Sequence, residues 1–175
     1  MILTIYFSHK GETYFPDGIK NVDKGNTEIA AEYIHKAVGG DLFEIETVKP
    51  YSGEYRKCCA EAKSEADANA RPEIKNLPDS ISRYNTIFVC YPNWCGTTPM
   101  CILSFLDKYD LSGKKIVQTE IIPLCTNEGS GMGNSERDLK NLYPTATFAE
   151  GLSVRGHQAR ESEESIAEWA KKHVL

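Results

Sequence analysis

The chain has 175 residues, 41% hydrophobic and 26% charged, which suits one soluble globular domain spanning residues 1–175. Its 20 Lys and Arg against 25 Asp and Glu leave a formal charge of -5 and a pI near 5.4. That balance argues against nucleic acid or an anionic membrane as the main partner and is compatible with an acidic carrier docking on basic proteins.

The opening residues 2–7, ILTIYF, form a continuous apolar run and are expected to be a buried strand rather than a signal peptide, since no basic segment precedes them. Residues 26–38, NTEIAAEYIHKAV, place Ile29, Ala30, Tyr33, Ile34 and Ala37 at helical spacing, with Asn26 or Thr27 as cap. Residues 41–48 (DLFEIETV) alternate like a half-buried edge strand, and 54–70 (EYRKCCAEAKSEADANA) read as a solvated helix. Residues 85–91 (NTIFVCY) predict a central strand followed by a helix over 100–109. A strand over 114–124, a short helix over 134–144, a last strand over 147–154 and a closing helix over 161–175 complete the chain. The alternation predicts a five-stranded parallel sheet covered by helices on both faces.

No apolar run approaches the roughly 18 residues of a membrane span. The six cysteines, at 58, 59, 90, 95, 101 and 125, include no CxxC pair. Free thiols in a reducing cytoplasm are the expectation, and neither a disulfide framework nor a metal site is foreseen. One stretch breaks the rhythm. Residues 9–25, HKGETYFPDGIKNVDKG, stand where a strand-to-helix turn of two to six residues is usual.

Ligands of such sheets sit beyond the carboxyl ends of the strands. Three loops leave that edge: one holding Ser8 and then Gly25, Asn26 and Thr27, one reading YPNWCGTTPM, and one reading LCTNEGSGMGN. Taken singly, each has an ordinary explanation: a helix cap, a packed tryptophan, a flexible glycine connection. Together they offer hydroxyl and amide donors at a helix N-terminus, where the partial positive charge suits a phosphate. They add a flat wall at Pro92, Asn93, Trp94, Cys95 and Gly96, and an opposing rim at Thr126, Glu128, Gly129 and Gly131. A phosphate turn, an aromatic wall and a glycine rim describe a site for flavin mononucleotide (FMN).

At these residues the chain resembles the flavodoxin-like family, and most closely its bacterial members whose flavin loop reads PNWWGT. The resemblance runs from the first strand to the final helix. It implies a flavodoxin-like three-layer α/β/α sandwich, a parallel sheet of order 2-1-3-4-5, and non-covalently bound FMN. Two departures stand out. The family's SxTGNT fingerprint is interrupted between Ser8 and Asn26, leaving Lys10 or Lys24 to supply the missing phosphate contact, and Cys95 stands where a second tryptophan is common.

With the cofactor carrying the redox chemistry, no residue need act as acid, base or nucleophile. Trp94 would stack on or flank the flavin, and Glu128 would disfavour negative charge on its reduced form. Cys95 has no resolving cysteine or basic residue beside it in sequence, so thiol chemistry is disfavoured. Cys58 and Cys59 read as helix fillers, while His35, His157 and His173 have no motif partner. His9 is as well explained by loop surface as by the phosphate turn. Tyr14 and Phe15 fit a lid or a surface anchor equally. Three functions follow. One is electron transfer between redox proteins; another is an NAD(P)H-dependent oxidoreductase reducing a quinone or similar acceptor. The third is an interaction domain that has lost its flavin.

Overall fold

The structure, a computed structural model, describes residues 1–111 and 119–174. The central sheet is parallel. Strand β1 (Ile2–Tyr6) lies between β4 (Asp41–Glu44) and β5 (Thr86–Pro92), and β5 pairs with β6 (Glu120–Asn127). Beyond β6 the edge is shared by two short strands, β7 (Thr147–Phe148) and β8 (Leu152–Arg155). Counting β7 and β8 as one interrupted strand, the order is that of the predicted 2-1-3-4-5 sheet. The interruption has a plain origin. Ile121 faces Phe148 while Leu124 faces Leu152, so the outer strand spends one residue more than its partner and bulges between them.

Both faces of the sheet are buried, which is why its strands read as apolar runs rather than alternating ones. Leu3, Ile5, Phe7, Ile87, Val89 and Tyr91 point to one side, against α3 (Met100–Leu106) and Leu139 of α4 (Ser135–Leu142). Tyr6, Phe88, Cys90, Ile122 and Leu124 point to the other, against α1 (Asn26–Val38) and α5 (Glu163–Lys172). Trp169 of α5, partly buried, packs against this core on Phe88 with ring centroids 5.6 Å apart. A 3-10 turn over Gly156–Glu161 leads into α5.

Several boundaries move. The predicted strand over 41–48 ends at Glu44, after which Thr47 makes a single antiparallel bridge to Ile74. Helix α2 (Tyr55–Asp67), α3 and α4 are each shorter than their apolar patterns. Of the strand expected over 114–124, residues 114–118 lie outside the described residues, as does Leu175 of the closing helix.

Residues 9–25 supply structure that periodicity did not indicate. They form an antiparallel hairpin, β2 (Gly11–Phe15) and β3 (Gly18–Val22), turned by Pro16 and Asp17. A two-stranded ribbon is marginal alone, so its attachments matter. Glu12 N donates to Gly53 O at 2.8 Å, Glu12 Oε2 accepts from Tyr55 N at 2.8 Å, and His9 Nε2 lies 2.9 Å from Ser52 O. At the hairpin's base Lys10 Nζ sits 3.5 Å from Glu28 and 3.4 Å from Glu44, and Lys24 pairs with Glu32. Burial pulls Lys10 down, yet Glu44 and Glu28 outweigh it and leave the ammonium above its ordinary pKa. The hairpin is therefore fastened to α1, β4 and the start of α2.

Candidate functional site

Ser8 and Asn26, far apart in sequence, are reunited by the hairpin, because an antiparallel excursion returns the chain to its starting point. Ser8 Oγ accepts a hydrogen bond from Glu28 N at 3.1 Å, so the helix is capped from across the insertion. Gly25 closes the turn: a Cβ there would stand 2.1 Å from Ser8 Oγ and 2.4 Å from His9 O. The interrupted fingerprint is thereby rebuilt in space, with Asn26 and Thr27 opening the helix toward the end of the sheet.

The second loop has a defined turn. Trp94 and Thr97 exchange backbone bonds of 3.0 Å each way, and the two residues between them have positive φ, 54° at Cys95 and 79° at Gly96. That is the signature of a type I′ turn, which favours Gly, Asn or Asp at both positions, so Cys95 is held in a disfavoured conformation. Trp94 is set edge-on against Phe7 at 5.0 Å and Tyr51 at 4.9 Å. Burial and the nearby Cys101 and Glu65 raise the Tyr51 phenol above its usual range, and its hydroxyl donates to Glu65 Oε2 at 2.6 Å. Trp94 thus belongs to the edge of the core and to the wall of the site at once.

The third loop is organised by a residue that the glycine pattern concealed. Asn127 Oδ1 accepts from the N–H groups of Gly129 and Gly131, both at 2.9 Å, and its Nδ2 donates to Ser153 Oγ at 2.8 Å. An Asn ahead of a glycine run is the available signal, since such side chains bond the backbone two residues on. Asn93 Nδ2 donates to Ser130 Oγ at 3.0 Å and Gly131 O at 3.1 Å, and the hydroxyls of Thr27 and Thr126 meet at 2.7 Å. The three loops are bonded to one another.

Between them lies a cleft of about 320 Å³, of the size that holds small ligands. Ser8, Asn26, Thr27, Pro92, Asn93, Trp94, Cys95, Thr126 and Glu128 line it, so nine of the expected residues converge. Gly25, Gly96 and Gly129 belong to the loops that bound it but not to its lining. Lys10 is not brought in; its ion pairs at the hairpin base hold it elsewhere, and Lys24 is likewise engaged. Glu128 lines the cleft but is not a free carboxylate: Oε1 accepts from His157 N at 2.7 Å and Oε2 meets His157 Nδ1 at 2.6 Å. His157 therefore has a partner that its sequence context did not reveal. Gly156, beside it, leaves no room for a side chain, since a Cβ would stand 2.6 Å from Asn26 Nδ2.

The remaining wall comes from the hairpin and α2: His9, Glu12, Thr13 and Tyr14 on one side, Tyr55, Cys58, Cys59 and Ala62 on the other. Neither segment is marked in sequence as part of a site, since α2 reads as solvated and Tyr14 fits a lid or a surface anchor equally. A larger depression of about 580 Å³ lies between α2 and residues 48–51, but it takes in none of the three loops.

The flavodoxin family's sequence profile matches residues 21–173. The chain belongs to the flavodoxin family. No curated protein matches it significantly. Among solved structures, a candidate flavoprotein from Bacteroides eggerthii is 30% identical, covering 99% of this chain and 98% of its own, with a TM-score of 0.76. One from Bacteroides uniformis is 26% identical, covering 97% of each chain, also with a TM-score of 0.76. A Lactobacillus acidophilus flavoprotein solved in complex with FMN is 16% identical over 91% of this chain and 96% of its own, with a TM-score of 0.67. That last likeness speaks for the fold. Among the described residues no helix is long and apolar enough to cross a membrane, and no cluster of three metal-ligating side chains occurs.

Proposed function

We propose that this protein binds FMN in the cleft and passes electrons between redox partners through it. The observation that carries the reading is convergence: a capped helix N-terminus, an aromatic wall and a rim of Thr126, Asn127 and Glu128, distant in sequence, bound one shared cavity. The fit to a phosphate-bearing ligand rests on α1, whose third N–H is met by Ser8 Oγ while Asn26 and Thr27 face the cleft. Ser8, Gly25, Asn26 and Thr27 would hold the phosphate. Pro92, Asn93, Trp94, Cys95 and Gly96 would form the wall beside the ring system, and Thr126, Asn127, Glu128 and Gly129 the opposing rim.

FMN would supply the one- and two-electron chemistry. The protein's part is binding, orientation and electrostatics. Trp94, backed by Phe7 and Tyr51, presents a wall that cannot collapse when the cleft is empty, which lowers the cost of ordering it on binding. Glu128 is tethered through both oxygens to His157, so its charge is fixed in place and partly offset by donors.

A second reading, reduction of a small planar acceptor, is favoured by the wall that Glu12, Thr13, Tyr14, Tyr55 and Cys59 add beyond the residues assigned to FMN. No lysine or arginine among the described residues lines the cleft, so a phosphate held there is met by neutral donors at the start of α1. The first test is the absorption spectrum of the purified protein, with fluorescence titration of FMN against riboflavin. Equal affinities would remove the phosphate assignment. Rapid oxidation of NADPH with a quinone, in the absence of any reductase, would favour the oxidoreductase.

A further inference from the structure

In sequence, Cys95 lacks both a second thiol and a basic neighbour. The fold supplies both. Cys59, on α2, and Cys95, at the tip of the wall turn, are both exposed and both line the cleft. Lys63 follows Cys59 by four residues, so the two lie on the same face of α2, and its charge reaches Cys95. Cys95 is also the one non-glycine of the three loops with positive φ, a strained placement of the kind that marks functional positions.

We propose that Cys59 and Cys95 form a reversible disulfide across the mouth of the cleft.

The other four cysteines are poorly placed for this. Cys58, Cys90, Cys101 and Cys125 are buried. Burial pushes the thiols of Cys58 and Cys125 up to about 12 and those of Cys90 and Cys101 higher still, which leaves almost no thiolate to react. Cys95 is itself raised, by burial first and then by Cys59 and Asp67, with Lys63 opposing. Its oxidation is consequently slow at neutral pH and is helped by the lysine. Lys63 is paired with Asp67, at 2.8 Å, but the pair is solvent-exposed and exchanges partners at little cost.

The co-reactant is a small disulfide such as oxidised glutathione. One protein thiolate attacks a sulfur of that disulfide, breaking its S–S bond and expelling one thiolate. The second protein thiolate then attacks the mixed disulfide, forming the Cys59–Cys95 bond and expelling the second. Two protein thiols lose two electrons and two protons, and the small disulfide becomes two thiols. Bridging α2 to the wall turn would narrow the entrance used by a small acceptor.

The experiment uses the full chain in glutathione redox buffer, followed by acid quench, alkylation, intact mass and peptide mapping. It reads thiols and is indifferent to whether flavin is bound. The expected result is a loss of two hydrogens, a single peptide link joining 59 and 95, and full recovery with dithiothreitol. Cys58→Ser keeps the link, whereas Cys59→Ser and Cys95→Ser accumulate only a glutathione adduct on the remaining thiol. Lys63→Met slows formation about two- to fivefold at neutral pH, as loss of a surface charge contact does. A link through Cys58, glutathione adducts on both thiols of the unaltered protein with no bridge, or no mass change would each overturn the proposal.

Discussion

Replacing Gly25 by alanine tests whether the hairpin truly reassembles the phosphate turn. Gly25 has φ -74° and ψ 158°, which any residue adopts, so the cost is steric and not conformational. The new Cβ would stand 2.1 Å from Ser8 Oγ and 2.4 Å from His9 O, about 1 Å inside an ordinary C···O contact. Ser8 must then leave Glu28 N, forfeiting a cap worth about 1 kcal/mol, while overpacking adds about 1–3 kcal/mol. The sum, about 2–4 kcal/mol, lowers the melting temperature of a chain this size by about 5–15 °C. FMN affinity should fall by about tenfold or more, since each 1.4 kcal/mol lost at the turn is a factor of ten. Circular dichroism melts of the flavin-free protein and fluorescence titration of FMN measure the two effects separately. The double variant Ser8→Ala with Gly25→Ala removes the nearer clash but keeps the one with the His9 carbonyl. It should therefore cost less than the two single effects added together. A Gly25→Ala protein with unchanged melting and unchanged affinity would show that the turn is loose and that the hairpin does not define it.

Trp94→Ala should weaken FMN binding by about 0.5–1.5 kcal/mol beyond the lost contact area and also lower stability, because its ring packs on Phe7 and Tyr51; an unaltered FMN titration would confine Trp94 to the core. Cys95→Gly, which suits φ 54°, should raise stability in urea by up to about 1 kcal/mol, and a loss instead would contradict the turn assignment. Glu12→Gln keeps an acceptor for Tyr55 N and should be nearly neutral, whereas Glu12→Ala should loosen the hairpin, seen as faster amide exchange in residues 11–22. Stability should decline above about pH 9. The folded thiols of Cys58 and Cys125 are raised from 9.0 to about 12, so between those values the unfolded chain loses protons that the folded one keeps. Each thiol removes up to about 1.4 kcal/mol per pH unit there, and urea midpoints that stay flat from pH 8 to pH 10 would refute the burial of these groups.

The sequence by itself determined the alternation of strands and helices, because a parallel sheet buried on both faces demands unbroken apolar runs such as ILTIY and TIFVCY, and those runs are visible without neighbours. The edge that carries the cleft is legible in the same way, since the three loops at the strand ends hold Ser8, Trp94 and Glu128 whatever their detailed path. Other features depend on pairing across distance and were not legible. The hairpin over residues 11–22 is short, leaves Tyr14 and Ile19 exposed, and is stabilised by contacts with Gly53, Glu28, Glu32 and Glu44, none of which a local pattern reports. Lys10 looks like a phosphate contact in sequence because it neighbours Ser8; only folding brings Glu28 and Glu44 to it, and the nearer charges win. The last strand reads as one run, yet its one-residue mismatch with β6 splits it, since register belongs to the pair and not to the segment. Cys59 and Cys95 share a cleft for the same reason: a helix leaving one strand and a turn leaving another meet only when the sheet places β1 between them.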